Sequence, residues 1–360
     1  MSAKGKGKGA PPAPPPLDNG PCTRKGGGFL AKAAERKQAQ AELVRLRPPT
    51  AELVDPLFEC PDSERFDAGD PAAMDHLGEH GYVVIKSVAN DDQLQHAERL
   101  LFEFMGEHAG WRSSDSDSWT DEGLARVSST GLANGLINKR GAGQSDLGWF
   151  VRTLPSVRKI FEQVWQDSDL LTSFDCFGLF RPWHTGKFYK TLGGWFHVDQ
   201  GSPGKQCVQG LLSIYDQDAS TGGLVVIPKS HKQFEHHTLP EPFEDYIAVN
   251  TDNPVHDGPH RLVQMRAGDF VLWDSRTVHC NSPAVVPPTA PDNRLLRAVV
   301  YVCMAPRRLA TPETLAQRVL AYNLCKTTSH WPYKNANGFG FQRDPPLDFD
   351  AAPPERKALI

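Results

Sequence analysis

From about residue 172, the hydrophobic positions of the chain fall into short runs separated by turn-forming residues. These runs occupy residues 173–180, 192–198, 207–215, 223–228, 261–265, 269–273 and 297–304. Gly, Pro and Asp lie between them, and several short apolar runs with turn signals between them are typical of a β-sandwich or barrel. The pattern therefore predicts a mainly β core over about 172–305.

The hydrophobic spacing before this core indicates helices and one early strand. Tyr82–Ile85 is a short apolar run that predicts a buried strand. Asn90 is a favourable N-cap for a helix that begins at Asp91. The apolar positions of this helix recur on one face, at Leu94, Ala97, Leu101 and Phe104. Further helices are expected at 29–46 and 153–166.

The two ends of the chain differ in composition from the part between them. Residues 1–27 consist mostly of Gly, Lys, Ala and Pro, so we expect a disordered tail. Residues 28–345 are expected to form a single domain, with a helical N-terminal part to about 170 followed by the β core. Thr311, followed by a proline and a glutamate, predicts a C-terminal helix over about 311–325. The proline-rich residues 346–360 predict an irregular tail.

Composition argues against several classes of protein. The net charge of −4 and the pI of about 6.4 offer no general attraction to nucleic acid or to an anionic membrane. The seven cysteines are scattered without a Cys-x-x-Cys motif, which argues against a disulfide scaffold and favours a reducing compartment. No stretch has the length and hydrophobicity of a membrane span or a secretory signal. We therefore expect a soluble, cytoplasmic protein, and no pattern indicates its oligomeric state.

Three side chains form a candidate metal site. His197 and Asp199 lie at the end of an apolar run, and residues i and i+2 of a strand point to the same side. His279 follows a second such run. Two imidazoles and one carboxylate on one face of a metal are the ligands of non-haem Fe(II) oxygenases, and they leave the opposite face open for co-substrate and O₂. Because these ligands lie on different strands, the sheet must fold back on itself, which predicts a double-sheet jelly roll of the cupin kind.

A buried arginine is expected to bind an anion near this site. Arg297 opens the last hydrophobic run, where an unpaired charge would cost roughly 3–5 kcal/mol. A guanidinium can hold a carboxylate through two parallel hydrogen bonds, and the far carboxylate of 2-oxoglutarate is a suitable partner. Arg294 is the alternative, and the two side chains would point to opposite sides of a strand. We favour Arg297 because it lies deeper in the apolar run.

Several motifs occur in a fixed order around these residues. They are the segments 79–85, 197–200, 209–216, 222–232 and 268–274, followed by His279 and Arg297. In this order they resemble the phytanoyl-CoA dioxygenase family of Fe(II)/2-oxoglutarate-dependent oxygenases, whose core is a double-stranded β-helix. The resemblance covers roughly 75–105 and 170–305.

The resemblance implies roles for individual residues. His197, Asp199 and His279 would be the iron ligands, and Arg297 would bind 2-oxoglutarate. Gln209, Asn281 and Ser282 lie near positions that help to hold 2-oxoglutarate in this family, although barrel-lining or turn roles are equally compatible with them. Leu211 is a departure, because some members have an aromatic ring over the co-substrate at this position.

Candidate substrate-binding residues are fewer and rest on weaker patterns. Trp195 lies two residues before His197, so it should share its face and could form a wall of the cavity; simple core packing is the alternative. The segment 138–152, which contains Gln144 and Arg152, resembles a substrate-side loop, although an ordinary surface loop would have the same composition. The remaining histidines, His330 among them, are expected to be ordinary core or surface residues.

These observations predict an Fe(II)- and 2-oxoglutarate-dependent dioxygenase. It would use O₂ to hydroxylate a C–H bond of a small organic substrate and release succinate and CO₂. The presence of Asp199 favours hydroxylation over halogenation, which needs a vacant ligand position. Two alternatives remain open: an oxygenase that acts on a macromolecule such as a nucleic acid base, against which the net charge argues, and a catalytically silent jelly roll that binds a ligand. The sequence does not identify the substrate.

Overall fold

In the computed structural model, the described residues are 58–130, 134–237, 246–291, 293–334 and 338–360. The tail expected at 1–27 and the helix expected at 29–46 lie outside these residues. The division into a tail and one domain over 28–345 therefore stays a prediction.

The helices of the described residues lie before and after the β core in sequence, except for Phe234–His237, which lies within it. They are Pro71–His80, Asp91–Ala109, Asp121–Val127, Asp146–Thr153, Pro155–Trp165, Phe234–His237, Pro312–Asn323 and Pro354–Lys357. The expected helix at Asp91 is confirmed, and the side chains of Asn90 and Gln93 each accept a hydrogen bond from the other residue's backbone N–H. The four apolar positions predicted for its inner face are all buried.

The other two predicted helices are confirmed with shifted boundaries. The helix expected at 153–166 begins at Pro155, because proline fits the first turn of a helix but not its interior. The C-terminal helix is capped by the Thr311 side chain and covers Pro312–Asn323. Its buried residues are Ala321, Tyr322 and the charged Arg318.

Fourteen strands are found in the described residues. They are β1 (Phe58–Glu59), β2 (Arg65–Phe66), β3 (Tyr82–Ile85), β4 (Leu136–Ile137), β5 (Leu170–Thr172), β6 (Phe177–Phe180), β7 (His197–Val198), β8 (Val208–Ser213), β9 (Gly222–Val226), β10 (Ile247–Ala248), β11 (His260–Leu262), β12 (Phe270–Asp274), β13 (His279–Pro283) and β14 (Arg297–Pro306). The seven predicted runs each contain or overlap a strand, and the predicted strand at Tyr82–Ile85 is β3. The sequence pattern did not predict β13.

These strands form two sheets, as a double-stranded β-helix requires. The six-stranded sheet has the order β1-β11-β9-β13-β7-β10. The eight-stranded sheet has the order β2-β3-β12-β8-β14-β6-β4, and β5 pairs with β14 outside this path. The predicted class, a mainly β jelly roll with flanking helices, is confirmed. Strands distant in sequence pair within each sheet, so residues far apart along the chain meet on their inner faces.

The alternation of side chains along β12 separates the two hydrophobic layers. Phe270 and Leu272 pack in one cluster with residues of the flanking helices, such as Leu101 and Ile160. The intervening Val271 belongs to a second cluster, which contains residues of both sheets. Because side chains of a strand alternate in direction, β12 contributes to both layers, and β3, β8 and β14 do the same. The candidate metal ligands lie at one end of the layer between the sheets.

The C-terminal segment differs from its prediction. The tail expected to be irregular contains the helix Pro354–Lys357, and Leu359 and Ile360 are buried. Arg318 explains the docking of this segment, because its guanidinium donates hydrogen bonds to the backbone oxygens of both buried residues, at 3.0 and 2.9 Å. The proline content indicated the irregular backbone but gave no sign of this anchor.

Among the helices of the described residues, none combines the length and the hydrophobicity that a bilayer crossing requires.

Candidate active site

The pairing of β7 with β13 brings the two candidate histidines together. His279 is the direct partner of His197 across this antiparallel pair, and their ring centroids are 4.2 Å apart. Asp199 lies two residues after His197, so its side chain points to the same side of the chain. The three residues are 4–8% exposed.

The three side chains present their ligand atoms to one point. Asp199 Oδ1 is 3.3 Å from His197 Nε2, and Asp199 Oδ2 is 3.1 Å from His279 Nε2. All candidate ligand atoms lie within 4.8 Å of one another, so this group can hold a metal ion. A donor set of two imidazole nitrogens and one carboxylate suits Fe(II) and leaves positions on the metal for other ligands.

Backbone carbonyls fix the orientation of both imidazoles. His197 Nδ1 is 3.1 Å from the oxygen of Trp195, and His279 Nδ1 is 2.8 Å from the oxygen of Thr277. In both cases the carbonyl belongs to the residue two positions earlier. With Nδ1 donating to a carbonyl, Nε2 is left deprotonated and available to a metal.

Burial and mutual charge set protonation states that suit a metal. Burial lowers the pKa of His197, which keeps this imidazole neutral and able to act as a ligand. Burial acts to raise the pKa of Asp199, but the two neighbouring imidazoles outweigh it and hold the pKa well below its usual range. The aspartate is therefore the anionic member of the group.

Two further side chains support Asp199. Gln209, on β8, donates from Nε2 to Asp199 Oδ2 at 2.6 Å. His330 lies 2.9 Å through its Nε2 from the backbone oxygen of Asp199 and is buried. His330 was expected to be an ordinary core or surface histidine; it is a buried residue that lines the site.

Arg297 is fully buried at the start of β14. Its Nε donates to Gln217 Oε1 at 2.7 Å, and its guanidinium lies 5.0 Å from the ring centroid of Phe180. Neither Nη atom has a hydrogen-bond partner among the described residues. A buried guanidinium with two free donors is a binding site for an anion, since leaving it unpaired is costly.

The competing arginine has a different environment. Arg294 is exposed, and its guanidinium lies 4.6 Å from the ring centroid of Tyr215. It thus lacks the burial that makes an unpaired guanidinium costly at Arg297.

A cavity of about 210 Å³ adjoins the three candidate ligands. Six residues predicted for the site line it: Trp195, His197, Asp199, Gln209, His279 and Asn281. Trp195 stacks on the His197 ring with a centroid distance of 4.8 Å and so forms part of the wall.

Arg297 is not among the residues that line this cavity, and three other predicted residues do not line it either. Ser282 follows Asn281 on β13 and therefore points the other way, and its hydroxyl donates to the Pro283 oxygen at 2.8 Å. The Arg152 guanidinium is fully buried and donates to the oxygens of Gly143 and Asp175 at 2.6 and 2.7 Å.

Gln144 is the third of these residues. Its Oε1 accepts from Trp149 Nε1 at 3.0 Å, and its Nε2 donates to the Lys326 oxygen at 3.1 Å. Both Gln144 and Arg152 thus hold the backbone around the Asp146–Thr153 helix. Neither residue lines the cavity beside the candidate metal ligands, and their expected role in substrate binding stays a prediction.

Other cavity-lining residues were not predicted. They are Leu136, Asp175, Cys176, Leu224, Tyr246, Trp273, Cys280, Tyr301 and Ser329, together with His330. Tyr301 could have been found, because it lies four residues after Arg297 on the same strand and therefore on the same face. Burial raises the pKa of Tyr301 although Arg297 and Asn281 act to lower it, so its hydroxyl stays protonated and can donate.

The jelly roll and its inner His/Asp/His group define a mononuclear non-haem metal enzyme of the two-histidine, one-carboxylate class. The model of the phytanoyl-CoA dioxygenase family matches residues 77–283, which is more than half of the chain. The chain belongs to the phytanoyl-CoA dioxygenase family. This confirms the resemblance, and the protein is an enzyme of the Fe(II)- and 2-oxoglutarate-dependent type.

Three proteins similar to this chain have names or titles that refer to biosynthesis. The Ava biosynthesis cluster protein O of Aspergillus versicolor is 26% identical over 281 residues, which cover 72% of this chain and 85% of that protein. The solved structure of the non-haem α-ketoglutarate-dependent carbocyclase SnoK from nogalamycin biosynthesis is 16% identical, covers 74% of this chain and 94% of its own, and has a TM-score of 0.47. The related epimerase SnoN is 18% identical, with 77% and 98% coverage and a TM-score of 0.46.

Proposed function

We propose that this protein hydroxylates a C–H bond of a small organic molecule while 2-oxoglutarate and O₂ are converted to succinate and CO₂. The observation that supports this best is the combination of a buried His/Asp/His group with a buried arginine whose two Nη atoms lack partners. Bound iron, with 2-oxoglutarate and O₂, supplies the oxidant that removes hydrogen from the substrate. The protein supplies ligation, orientation and a dry cavity.

His197, Asp199 and His279 would ligate the iron. Their burial and their fixed orientation mean that little rearrangement is needed on metal binding, because both Nε2 atoms already point towards the Asp199 carboxylate. Gln209 would hold that carboxylate through its hydrogen bond to Oδ2. Residues that hydrogen-bond to a metal ligand, as Gln209 does to Asp199, keep that ligand oriented and are important for metal affinity.

Arg297 would bind the far carboxylate of 2-oxoglutarate through Nη1 and Nη2. Gln217 already occupies Nε and thereby directs the two remaining donors away from itself. The Phe180 ring beside the guanidinium excludes water from it. A bidentate pair formed in this setting is strong, because both partners are desolvated and well aligned.

Tyr301 and Asn281 lie between these two ends of the site. Both line the cavity, and Tyr301 is protonated, so each can donate a hydrogen bond to a carboxylate or keto oxygen. We assign them to the middle of the 2-oxoglutarate site, with Asn281 in the supporting role that was expected of it. Ser282 has no part in this assignment.

The prime substrate would occupy the part of the cavity bounded by Trp195, Tyr246, Leu136 and Asp175. This wall combines aromatic and apolar surface with one carboxyl group, which suits a small, partly polar molecule. A volume of about 210 Å³ is below the roughly 300–1,000 Å³ of typical ligand sites. The similarity to a protein named for a biosynthesis cluster supports a small-molecule substrate. The proposed cytoplasmic location rests on the scattered cysteines.

The test is iron-dependent release of succinate from 2-oxoglutarate by the purified full chain, first alone and then with a panel of small organic molecules. Hydroxylation predicts a product heavier by one oxygen atom, and ¹⁸O₂ should label this atom. A product without added oxygen would mean that the enzyme uses iron and 2-oxoglutarate for a reaction other than hydroxylation. No iron-dependent succinate across the panel would favour a silent ligand-binding jelly roll.

A further inference from the structure

Two cysteine thiols are in contact on the inner face of the larger sheet. Cys207 immediately precedes β8 and Cys303 lies in β14, and their Sγ atoms are 3.2 Å apart as free thiols. Both residues are at most 1% exposed. Among the described residues, no other pair of thiols lies within hydrogen-bonding distance. The established activity gives this pair no role.

The pair lies beside the candidate metal site rather than in a remote part of the core. Cys303 is the direct partner of Gln209 across β8 and β14, so both side chains point to the same face. Gln209 lines the cavity and donates to Asp199. The backbone oxygen of Cys207 accepts from Ser275 N at 3.1 Å, and the Ser275 oxygen accepts from Asp199 N at 2.8 Å.

The two thiols differ in acidity in the way that a nucleophile and its resolving partner do. Burial acts to raise the pKa of Cys207, but hydrogen bonds from Cys303 and Ser275 and the nearby His330 outweigh it and lower the pKa. Burial and the contact with Cys207 raise the pKa of Cys303 well above its usual value. Cys303 Sγ also donates to the Val208 oxygen at 3.0 Å, which holds it against β8.

We propose that Cys207 and Cys303 are a redox-sensitive pair that hydrogen peroxide converts to a disulfide, and that closing this disulfide weakens metal binding at the adjacent site. The Cys207 thiolate attacks one oxygen of hydrogen peroxide, forms a sulfenic acid and releases water once the leaving hydroxide takes a proton. The Cys303 sulfur then attacks the Cys207 sulfur, an S–S bond forms, and the second oxygen leaves as water with the Cys303 proton. Two thiols are oxidised and one peroxide is reduced to two waters.

The effect on the metal follows from the distance that the sulfurs must move. A disulfide requires an S–S separation of about 2.05 Å, so the two sulfurs, now 3.2 Å apart, must approach by roughly an ångström, and we expect part of this shift to reach the backbone of β8 and β14. Gln209 lies on β8 and holds Asp199 through its side chain. Ser275 follows β12, donates from its backbone N–H to the Cys207 oxygen and accepts from Asp199 N. Metal ligation tolerates deviations of only about 0.2 Å, and loss of such outer contacts costs roughly tenfold or more in metal affinity.

The proposal is tested with the full chain loaded with Mn(II), which avoids reaction of iron with peroxide. After treatment with hydrogen peroxide and alkylation of the remaining thiols, peptide mass spectrometry should show Cys207 linked to Cys303 with the loss of two hydrogen atoms. Mn(II) affinity, measured by calorimetry on the same sample after its metal is removed, should fall roughly tenfold. A dithiol reductant should restore the affinity. None of these measurements depends on turnover, so their outcome is separate from that of the proposed hydroxylation.

Matched variants locate the effect. Cys207→Ser should retain its Mn(II) affinity after peroxide treatment, whereas Cys325→Ser, which removes another buried thiol, should behave like the wild type. Absence of the linked peptide, or its presence with unchanged Mn(II) affinity, overturns the proposal. If Cys207→Ser does not fold, peptide mapping and affinity of the wild-type protein before and after reduction decide the question alone.

Discussion

Gln217 Oε1 accepts a hydrogen bond from Arg297 Nε at 2.7 Å, and among the described residues neither Nη atom has a hydrogen-bond partner. The amide thus fixes the plane of the guanidinium and leaves both Nη atoms for an incoming carboxylate. Gln217 is held in turn by Ser213 Oγ, whose own hydroxyl donates to the Tyr215 oxygen at 2.6 Å. A chain of hydrogen bonds therefore supports the anion site from behind.

Arg297→Ala should raise the concentration of 2-oxoglutarate needed for turnover by roughly a hundredfold or more, because a desolvated charge pair is lost at a cost of about 3–5 kcal/mol. Metal affinity should remain close to that of the wild type. Titration of 2-oxoglutarate in the succinate assay, with Mn(II) calorimetry alongside, measures both. Arg294→Ala is the matched control and should change neither value. If Arg294→Ala raised the 2-oxoglutarate requirement and Arg297→Ala did not, Arg294 would be the residue that binds the far carboxylate.

Gln217→Glu should also weaken 2-oxoglutarate binding, by about tenfold, because the new carboxylate pairs with the guanidinium and competes with the co-substrate. Gln217→Leu leaves Nε of Arg297 unsatisfied in a buried position, and should lower the free energy of unfolding by about 1–3 kcal/mol. Calorimetry with 2-oxoglutarate and a thermal melt separate the two effects. Equal 2-oxoglutarate affinity in wild type and Gln217→Glu would contradict the positioning role.

His197→Ala should abolish both turnover and the stabilisation that a metal provides. A ligand present at 100 times its dissociation constant stabilises the folded state by about 2.7 kcal/mol, so Mn(II) should raise the melting temperature of the wild type by several degrees. Chelation of the metal should reverse this shift. The variant should melt at the same temperature with and without Mn(II). His184→Ala, at a histidine away from the cavity, should keep the full shift.

Gly81→Ala should destabilise the fold by about 2 kcal/mol or more. Gly81 ends the Pro71–His80 helix with φ of +82°, and an added Cβ would lie 2.4 Å from Thr277 Oγ1 and 2.5 Å from His231 Nδ1. Gly78→Ala is the matched control within the same helix. It has open space around the added Cβ and should stabilise by about 0.5–1 kcal/mol. Denaturant unfolding of both variants measures the difference, and similar unfolding midpoints would refute the steric argument.

The predictable part of the molecule is the part that local patterns encode. The helix at Asp91 has a cap and an apolar face within one stretch of sequence, and β12 begins with four consecutive apolar residues. The His197, Asp199 and His279 group was also accessible, because spacing along a strand and the resemblance to a family both pointed to it. The helix cap, the apolar run and the spacing of His197 and Asp199 each lie within a short stretch of sequence, whereas the resemblance rests on the order of motifs between residues 79 and 297.

The residues that sequence reasoning missed depend on long-range contacts. β13 contains His279 and Asn281 at inward positions, so its sequence lacks the apolar run by which the other strands were recognised. His330 reaches the site from a segment that follows the C-terminal helix, 131 residues after the aspartate whose backbone it contacts. Arg152 was misplaced because its partners are backbone oxygens, which no side-chain pattern announces.

Arg318 donates to four backbone oxygens at once, those of Thr172, Pro332, Leu359 and Ile360. The guanidinium is buried, so Leu359 and Ile360 cover a charge that water does not reach and supply two of its acceptors. A shortened version cut at 345, where proline-rich composition invites a boundary, would remove two of these four acceptors. Such a truncation should expose β5, whose Thr172 N–H donates to the Leu359 oxygen, and yield aggregated protein in expression trials. We therefore expect that soluble preparations of this enzyme need an intact C-terminal segment.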